Sequence, residues 1–443
     1  MSILIPQNLG YQKSLTLRTR FTAPNNTRIG YVVVGRPIQW DANDAIPTSI
    51  DTIQEQYEIS NYLLGGKRIT GNDVSLVIPR RTWTSNTTYQ AYDDRVSQIN
   101  QLATHPSLYV ITADGNVYKC LENNNGAAST IEPTGNYLTN NGVIALGDGY
   151  VWKYMYRIEP TNKFNTSQWM PVPTEQNENY FGNANNVVRG AISKIVVESG
   201  GSGYIQANTM VVITGAGVSA TATANVANGV ITSISISNPG VNYTRQNSAV
   251  TVTGAGTGAN VRLVLPDTFG HAFNPAQELG ANTVMFSVKL GDGDATEGGK
   301  ITANNDFRQI GLLMEPHKYG ETVSVNIATA NLVVTMITKM VLTSGTAYQR
   351  DERVYQGVSP NTASFSAYVS DVFTNSVELV GLQGTPIVGA TLTGVSSGVA
   401  RTVVSITNPD LEIGSGKLVY VENVSPVTRS IGQSEHVKII VRY

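Results

Sequence analysis

Along most of the chain, hydrophobic and polar positions alternate or cluster in short runs, a period that suits strands better than helices. Residues 27–36 (TRIGYVVVGR) and 436–443 (HVKIIVRY) are β-branched and aromatic runs bounded by turn formers, and both predict buried strands. The pattern changes over residues 48–66, where Ile50, Ile53, Tyr57 and Leu64 fall near helical spacing. Thr48 and Asp51 supply a capping pair and Gly65-Gly66 a stop, so one amphipathic helix is expected there. A second helix is expected over residues 89–102, where Tyr92, Val96 and Ile99 share a face and His105-Pro106 ends it.

The middle of the chain repeats itself. Ile192-Ser193-Lys194-Ile195 recurs as Ile231-Thr232-Ser233-Ile234, Gly201 and Tyr204 recur as Gly240 and Tyr243, and Thr214-Gly215-Ala216-Gly217 recurs as Thr253-Gly254-Ala255-Gly256, each 39 residues on. Residues 191–265 therefore read as two copies of one strand-turn-strand unit. The matched glycines are expected to serve turns of positive φ, and two packed copies would form a compact lobe. Asn185-Asn186 and Pro266-Asp267 look like the hinges of an insertion. A second Gly, Ser and Thr-rich stretch, residues 341–409, carries strand-like pieces at 354–356, 363–369, 376–379 and 401–406, which predict a small β-barrel or sandwich.

The expected fold is mainly β: a discontinuous β-sandwich-like core with one or two helices and two inserted small β domains. The core would comprise residues 1–190, 266–340 and 410–443, and the insertions residues 191–265 and 341–409.

Composition narrows the function. Among 443 residues, Lys plus Arg number 30 and Asp plus Glu 32, a net charge of −2, so there is no basic excess to hold a nucleic-acid backbone. Charged residues make up 14% of the chain, against about 25% in an ordinary globular protein. Neutral polar groups lose less than ions on leaving water, so this balance suits a subunit that buries much of its exterior against other proteins. It suits the inside of an insoluble fibre equally. Cys120 is the single cysteine, which excludes an internal disulfide and a Cys-rich metal site. No apolar run approaches about 18 residues and the first ten residues lack a signal-peptide pattern, so a soluble protein made in a cytoplasm, with no membrane partner, is expected.

Local motifs for catalysis or metal binding fail when tested. His105, His271, His317 and His436 fall at no metal-ligand spacing and are read as structural or surface residues. The loop starting at Asp292 has Ala303 where a calcium loop needs a bidentate Glu. Near Gly298-Gly299-Lys300, Ile301 stands where a phosphate loop needs a hydroxyl. Ser202 in Gly200-Gly201-Ser202-Gly203-Tyr204 lacks the closing Gly of a nucleophile elbow. A pair of carboxylates assembled from distant parts of the chain stays open. The 21 tyrosines suit half-buried sheet positions, protein contacts and sugar stacking alike. No catalytic residue, cofactor or metal is assigned.

Four clusters are more specific: residues 77–83 (VIPRRTW), 117–121 (VYKCL), 131–133 (IEP) and 147–154 (GDGYVWKY). In this order they resemble the baseplate wedge subunits of T-even-type contractile-tailed bacteriophages. The resemblance continues at residues 306–310 (DFRQI) and 420–424 (YVENV). It implies a structural, non-enzymatic virion protein of the tail baseplate, assembled in the host cytoplasm, that pairs as a homodimer and bridges neighbouring wedge proteins during tail assembly and contraction. The two insertions are embellishments on that frame and offer possible host-surface contacts. The alternatives are a glycan- or receptor-binding tail module, and a polysaccharide-degrading enzyme.

The same clusters supply the candidate interface residues. Pro79 fixes φ, so Arg80 and Arg81 on an extended segment are expected to point to opposite faces, one bracing a carboxylate within the chain and the other reaching a neighbour beside Trp83. Tyr150, Trp152 and Tyr154 alternate along one strand face, with Val151, Lys153 and Met155 on the other. An aromatic stripe of that size must be covered, either by the chain's own core or by another subunit. Cys120 is expected to be a buried small hydrophobe.

Overall fold

The computed structural model describes residues 7–22, 29–96, 107–136, 140–174, 187–291, 305–321, 333–344 and 347–443. The chain is mainly β, with 46% of the described residues in strands and 10% in helices. It divides into two compact units: Met1–Thr16, Ser75–Met285 and Ile440–Tyr443 form one, and Leu17–Val74 with Phe286–Ile439 the other. Both are discontinuous in sequence, and each takes in one of the Gly-rich stretches.

In the first unit a four-stranded antiparallel sheet has the order Tyr109–Ile111, Asn116–Asn123, Tyr150–Arg157, Val143–Ala145. The repeat forms three two-stranded antiparallel ribbons that share one core. Their pairing exchanges strands between the copies. Met210–Gly215 pairs with its own counterpart Ser248–Thr253. Thr221–Ala227 of the first copy pairs with Val230–Asn238 of the second, with Ala224 opposite Ile234, while Thr257–Val264 pairs with Lys194–Ser202, with Leu263 opposite Ile195. These two registers are the same register moved by the repeat length. The irregularity at Thr221/Ala222 recurs at Asn260/Val261, so the lobe has internal two-fold pseudosymmetry that includes this bulge, while a second one at Asn225/Val226 is confined to one ribbon.

The matched glycines serve two purposes. Gly201 and Gly240 have φ of 60° and 65°, the positive values that favour glycine. Gly217 and Gly256 are required for space, because a Cβ at either would stand 2.4 or 2.5 Å from the ring of Tyr243 or Tyr204. The symmetry breaks at Arg262, whose counterpart in the first copy is Thr223. Its guanidinium pairs with Asp93, with Asp94 at 3.3 Å and with Glu198 of its own lobe at 3.0 Å, and it joins Arg245–Asp94 at 3.4 Å and Arg95–Glu198 at 2.7 Å in tethering the lobe to the segment beside the four-stranded sheet.

In the second unit a five-stranded sheet has the order Val333–Thr335, Leu63–Arg68, Gly30–Gly35, Asp306–Met314, Lys417–Thr428. Gly30–Gly35 is buried at every position, which explains its unbroken apolar run. Val33 lies opposite Gly66 on one side and Gly311 on the other, and a Cβ on either glycine would stand 2.8 or 3.0 Å from its methyls. Gly65-Gly66 is thus strand, and the expectation that it stops a helix is corrected. The helix itself is Ile53–Asn61, capped by Thr52, whose hydroxyl accepts from the Glu55 N–H at 3.1 Å. Its expected apolar face is largely outside: Ile59 is buried, but Ile53 is 89% and Tyr57 57% exposed. Six strands between Thr338 and Thr407 close into a barrel around Met340, Val354, Phe365, Leu379, Leu392 and Val403.

Two further differences concern helices. Residues 89–96 are extended and turn rather than helical, because their N–H groups bond elsewhere: Tyr89 to the Tyr150 hydroxyl, Gln90 to the Ser107 carbonyl, Tyr92 to the Cys120 carbonyl. The rest of that expected helix, residues 97–102, and His105 lie outside the described residues, as do residues 292–301 of the rejected calcium and phosphate loops. The helix Gln7–Thr22 was not anticipated.

Candidate functional site

The four sequence clusters converge in the first unit around Asp148. One carboxylate oxygen accepts from the Thr130 N–H at 2.9 Å, the Ile131 N–H at 3.1 Å and the Ser129 hydroxyl at 3.2 Å, and the other accepts from the Tyr150 N–H at 3.2 Å. Burial works against the charge, but these donors outweigh it and hold the carboxyl below its ordinary value. The Trp83 indole N–H donates to the same Ser129 hydroxyl at 3.2 Å. Asp148 therefore fastens the segment after residue 128 to the turn that begins the strand Tyr150–Arg157, and Trp83 closes over both.

Beneath this turn lies an aromatic core. Tyr150 stacks on Trp152 with centroids 5.6 Å apart, Tyr89 meets Trp152 edge-on at 5.4 Å, and Tyr118 meets Tyr154 edge-on at 5.8 Å. Tyr150, Trp152 and Tyr154 are all buried, together with Cys120 and Val110. Their own fold covers the aromatic stripe, so the interface assignment of these three side chains is corrected. Burial also pushes the Cys120 thiol up, away from reactivity.

Arg80, Arg81 and Trp83 are half-buried and keep accessible surface. Arg80 donates to the Asn165 side-chain carbonyl at 2.6 Å, an amide where a carboxylate was the expected brace. The backbone at Arg81 and Trp83 is held by the strand carrying Ile111, through Ile111 N–H to the Arg81 carbonyl at 2.7 Å and Trp83 N–H to the Ile111 carbonyl at 3.0 Å.

The opposite face of the strand Tyr150–Arg157 is polar at its centre, which residue spacing did not disclose. Lys119 donates to Glu278 Oε1 at 2.7 Å, and the same oxygen lies 2.5 Å from His271 Nδ1. His271 Nε2 lies 2.8 Å from the Ser193 hydroxyl, and Glu278 Oε2 accepts from the Ala272 N–H at 2.8 Å. Glu278 sits in the short helix Pro275–Glu278, whose start is fixed by the Asn274 side chain accepting from Gln277 N–H at 3.1 Å. Tyr92 packs edge-on against the imidazole at 4.9 Å and lies under the Lys119 ammonium at 3.8 Å. Burial opposes the Glu278 charge, yet Lys119 and His271 hold its carboxyl well below the usual range. Burial, then Lys119, lowers His271 against the pull of Glu278.

Ser193 and His271 form part of the wall of a cavity of about 310 Å³, as do Lys153, Tyr150 and the apolar side chains of Leu121, Val143, Leu146 and Ile236. Lys153 donates to the Asn141 carbonyl at 2.6 Å, and burial lowers its amine to about 7. Lys119 and Glu278 are 159 positions apart and Ser193 and His271 78, so no local motif could have joined them. Among the described residues, no cluster of three or more His, Cys, Asp or Glu side chains is placed to hold a metal, and no helix is long and apolar enough to cross a membrane.

No known family model matches the sequence. Over 176 residues, covering 32% of this chain and 52% of the relative, the sequence is 24% identical to baseplate wedge protein gp8 of Enterobacteria phage T4. The chain thus spans about half the length of the curated relative that it matches, and it is similar to a phage baseplate protein across that span.

Proposed function

We propose that this chain is a structural subunit of a phage tail baseplate, whose part in the assembly needs no catalysis, located in the virion and assembled in the host cytoplasm, where it pairs with a second copy and bridges neighbouring wedge proteins. The observation that carries this reading is the 176-residue similarity to a baseplate wedge protein. Three features support it. Charge is scarce, at 14% of residues, which lowers the cost of burying polar surface in a large assembly. Ile50, Ile53 and Tyr57 expose apolar surface along and beside one helix. Arg80, Arg81 and Trp83 cluster at a half-buried edge, and Arg and Trp are residues that dominate contact energies. Many moderate contacts, each with few ion pairs, would let a metastable ring hold before contraction and shift together after it.

The test is co-expression of the chain with the other tail proteins of its virus, followed by co-purification and measurement of its mass in solution. A stable complex and a dimeric mass are expected. A monomer that binds none of these proteins at micromolar concentration, and is absent from purified virions, refutes the reading.

A glycan-binding tail module is the second reading. It is favoured by a groove of about 890 Å³ in the second unit, lined by Tyr57, Tyr62 and Tyr319 with Glu58, Asn61 and Gln383. Tyr57 and Tyr319 are exposed, and exposed tyrosines flanked by amides and carboxylates are suited to stacking on and hydrogen-bonding sugar rings. Retention of the full chain on host-envelope oligosaccharide, lost on Tyr57→Ala, would favour this reading over a purely scaffolding one.

A further inference from the structure

We propose that Ser193 is an activated nucleophile that accepts acyl groups from small apolar esters entering the 310 Å³ cavity. The proposal stands apart from the structural role, and its failure would leave that role untouched. Glu278, His271 and Ser193 lie in series on opposite ring nitrogens, with 2.5 Å from the carboxylate to Nδ1 and 2.8 Å from Nε2 to the hydroxyl. This is the carboxylate-imidazole-hydroxyl order that converts a serine into a nucleophile. Glu278 is already met by Lys119 at 2.7 Å and by the Ala272 N–H at 2.8 Å, so neutralising it does not require His271. The Ser193 main chain is pinned by its N–H to the Val264 carbonyl at 2.9 Å, and Tyr92 fixes the tilt of the imidazole.

The cavity completes the arrangement. Leu121, Val143, Leu146 and Ile236 offer an apolar seat for an acyl chain, and Lys153 places a donor on the same wall. Exposed Ser237 lies at its mouth. In the step itself, Ser193 Oγ bonds to the ester carbonyl carbon while its proton passes to His271 Nε2, and Lys153 donates to the carbonyl oxygen as it gains charge. The ester C–O bond then breaks and Nε2 returns the proton to the leaving alkoxide. Water next attacks the acyl-serine, giving one proton through Nε2 back to Oγ, so the balance is ester plus water to acid plus alcohol. Ser193 and His271 are the reacting pair; Glu278 and Lys119 position the imidazole.

The experiment treats the full chain with a fluorophosphonate probe, locates the adduct by mass spectrometry and follows hydrolysis of short-chain p-nitrophenyl esters. Labelling of Ser193 is expected. Ser193→Ala should abolish it, Ser237→Ala should leave it unchanged, and His271→Gln should slow it by about a hundredfold or more. Lys119, Glu278 and Lys153 all face the imidazole, and Glu278→Gln, by removing the sole anion among them, should move the midpoint of the pH-labelling curve downward. An unlabelled wild-type protein, a label elsewhere, or a rate indifferent to His271→Gln would overturn the proposal; the wild-type result decides even if a variant fails to fold.

Discussion

Tyr204 and Tyr243 occupy equivalent places in the two repeat copies, and each lays its ring over the other copy's glycine, Tyr204 over Gly256 and Tyr243 over Gly217. Both rings are buried in the shared core. The glycines are therefore packing residues, each half of a cross-copy lock, and the lobe is stabilised by two equal contacts related by its pseudosymmetry.

Alanine at Gly217 or Gly256 should destabilise the protein by similar amounts, about 1–3 kcal/mol each, because a Cβ would overlap a ring with no free volume behind it. Denaturant unfolding measures this. Combining Gly256→Ala with Tyr204→Leu should cost less than the sum of the two single changes, since the smaller side chain makes room for the methyl. Strict additivity would show that ring and glycine are not in contact.

Arg262→Ala should loosen the repeat lobe at its tether. Asp93 loses this guanidinium, while Asp94 keeps Arg245 at 3.4 Å and Glu198 keeps Arg95 at 2.7 Å, so the expected loss is about 1–3 kcal/mol, softened by these partners and by water reaching the half-buried site. Hydrogen exchange should rise in residues 93–96 while the barrel of residues 338–407 stays protected. Equal acceleration in both would disprove a local tether.

Trp152 packs well but leaves its indole N–H without a hydrogen-bond partner. Trp152→Ala should therefore cost about 3–5 kcal/mol through the cavity it opens, while Trp152→Phe should cost much less, since the lost volume is offset by removing an unsatisfied donor. Unfolding midpoints of the two variants would separate these effects, and a Phe variant as unstable as the Ala variant would contradict this account.

Lys153 sets a pH dependence. Burial lowers its amine to about 7 in the folded chain, against an ordinary 10.5 when unfolded. Between those values the unfolded chain holds a proton that the folded chain has released, so stability should climb as pH rises from 7 to 10.5, and the cost of burying the charge is fully present below 7. Lys153→Met should flatten this slope, at the expense of the bond to the Asn141 carbonyl. Urea denaturation as a function of pH reads both; an unchanged slope would assign the effect to another group.

What could be read from residue pattern follows the range of the interactions involved. The strand Gly30–Gly35 was legible because burial on both faces demands an unbroken apolar run. The repeat was legible as an offset, but the matched positions carry no record of which copy's strand pairs with which, so the exchange was hidden. The spacing of residues 48–66 marks the helix Ile53–Asn61 but not its buried face, because Ile50 precedes the helix, Leu64 belongs to a strand, and Ile53 and Tyr57 face outward. The helix Gln7–Thr22 escaped notice for want of an apolar stripe, its buried positions including Tyr11 and Ser14. Residues 89–96 have a helical spacing that their backbone ignores, since the Tyr150 hydroxyl and the Ser107 and Cys120 carbonyls claim the N–H groups. The Ser193, His271 and Glu278 series is a product of tertiary folding alone.

The strand exchange also limits how such a lobe can change over evolutionary time. Neither half carries a complete set of hydrogen-bonding edges, so deleting one would strand three unpaired segments, and a third tandem unit would arrive with no counterpart to receive it. Unlike a solenoid, which lengthens or shortens by whole modules, this duplication is closed: it is inherited or lost as a pair.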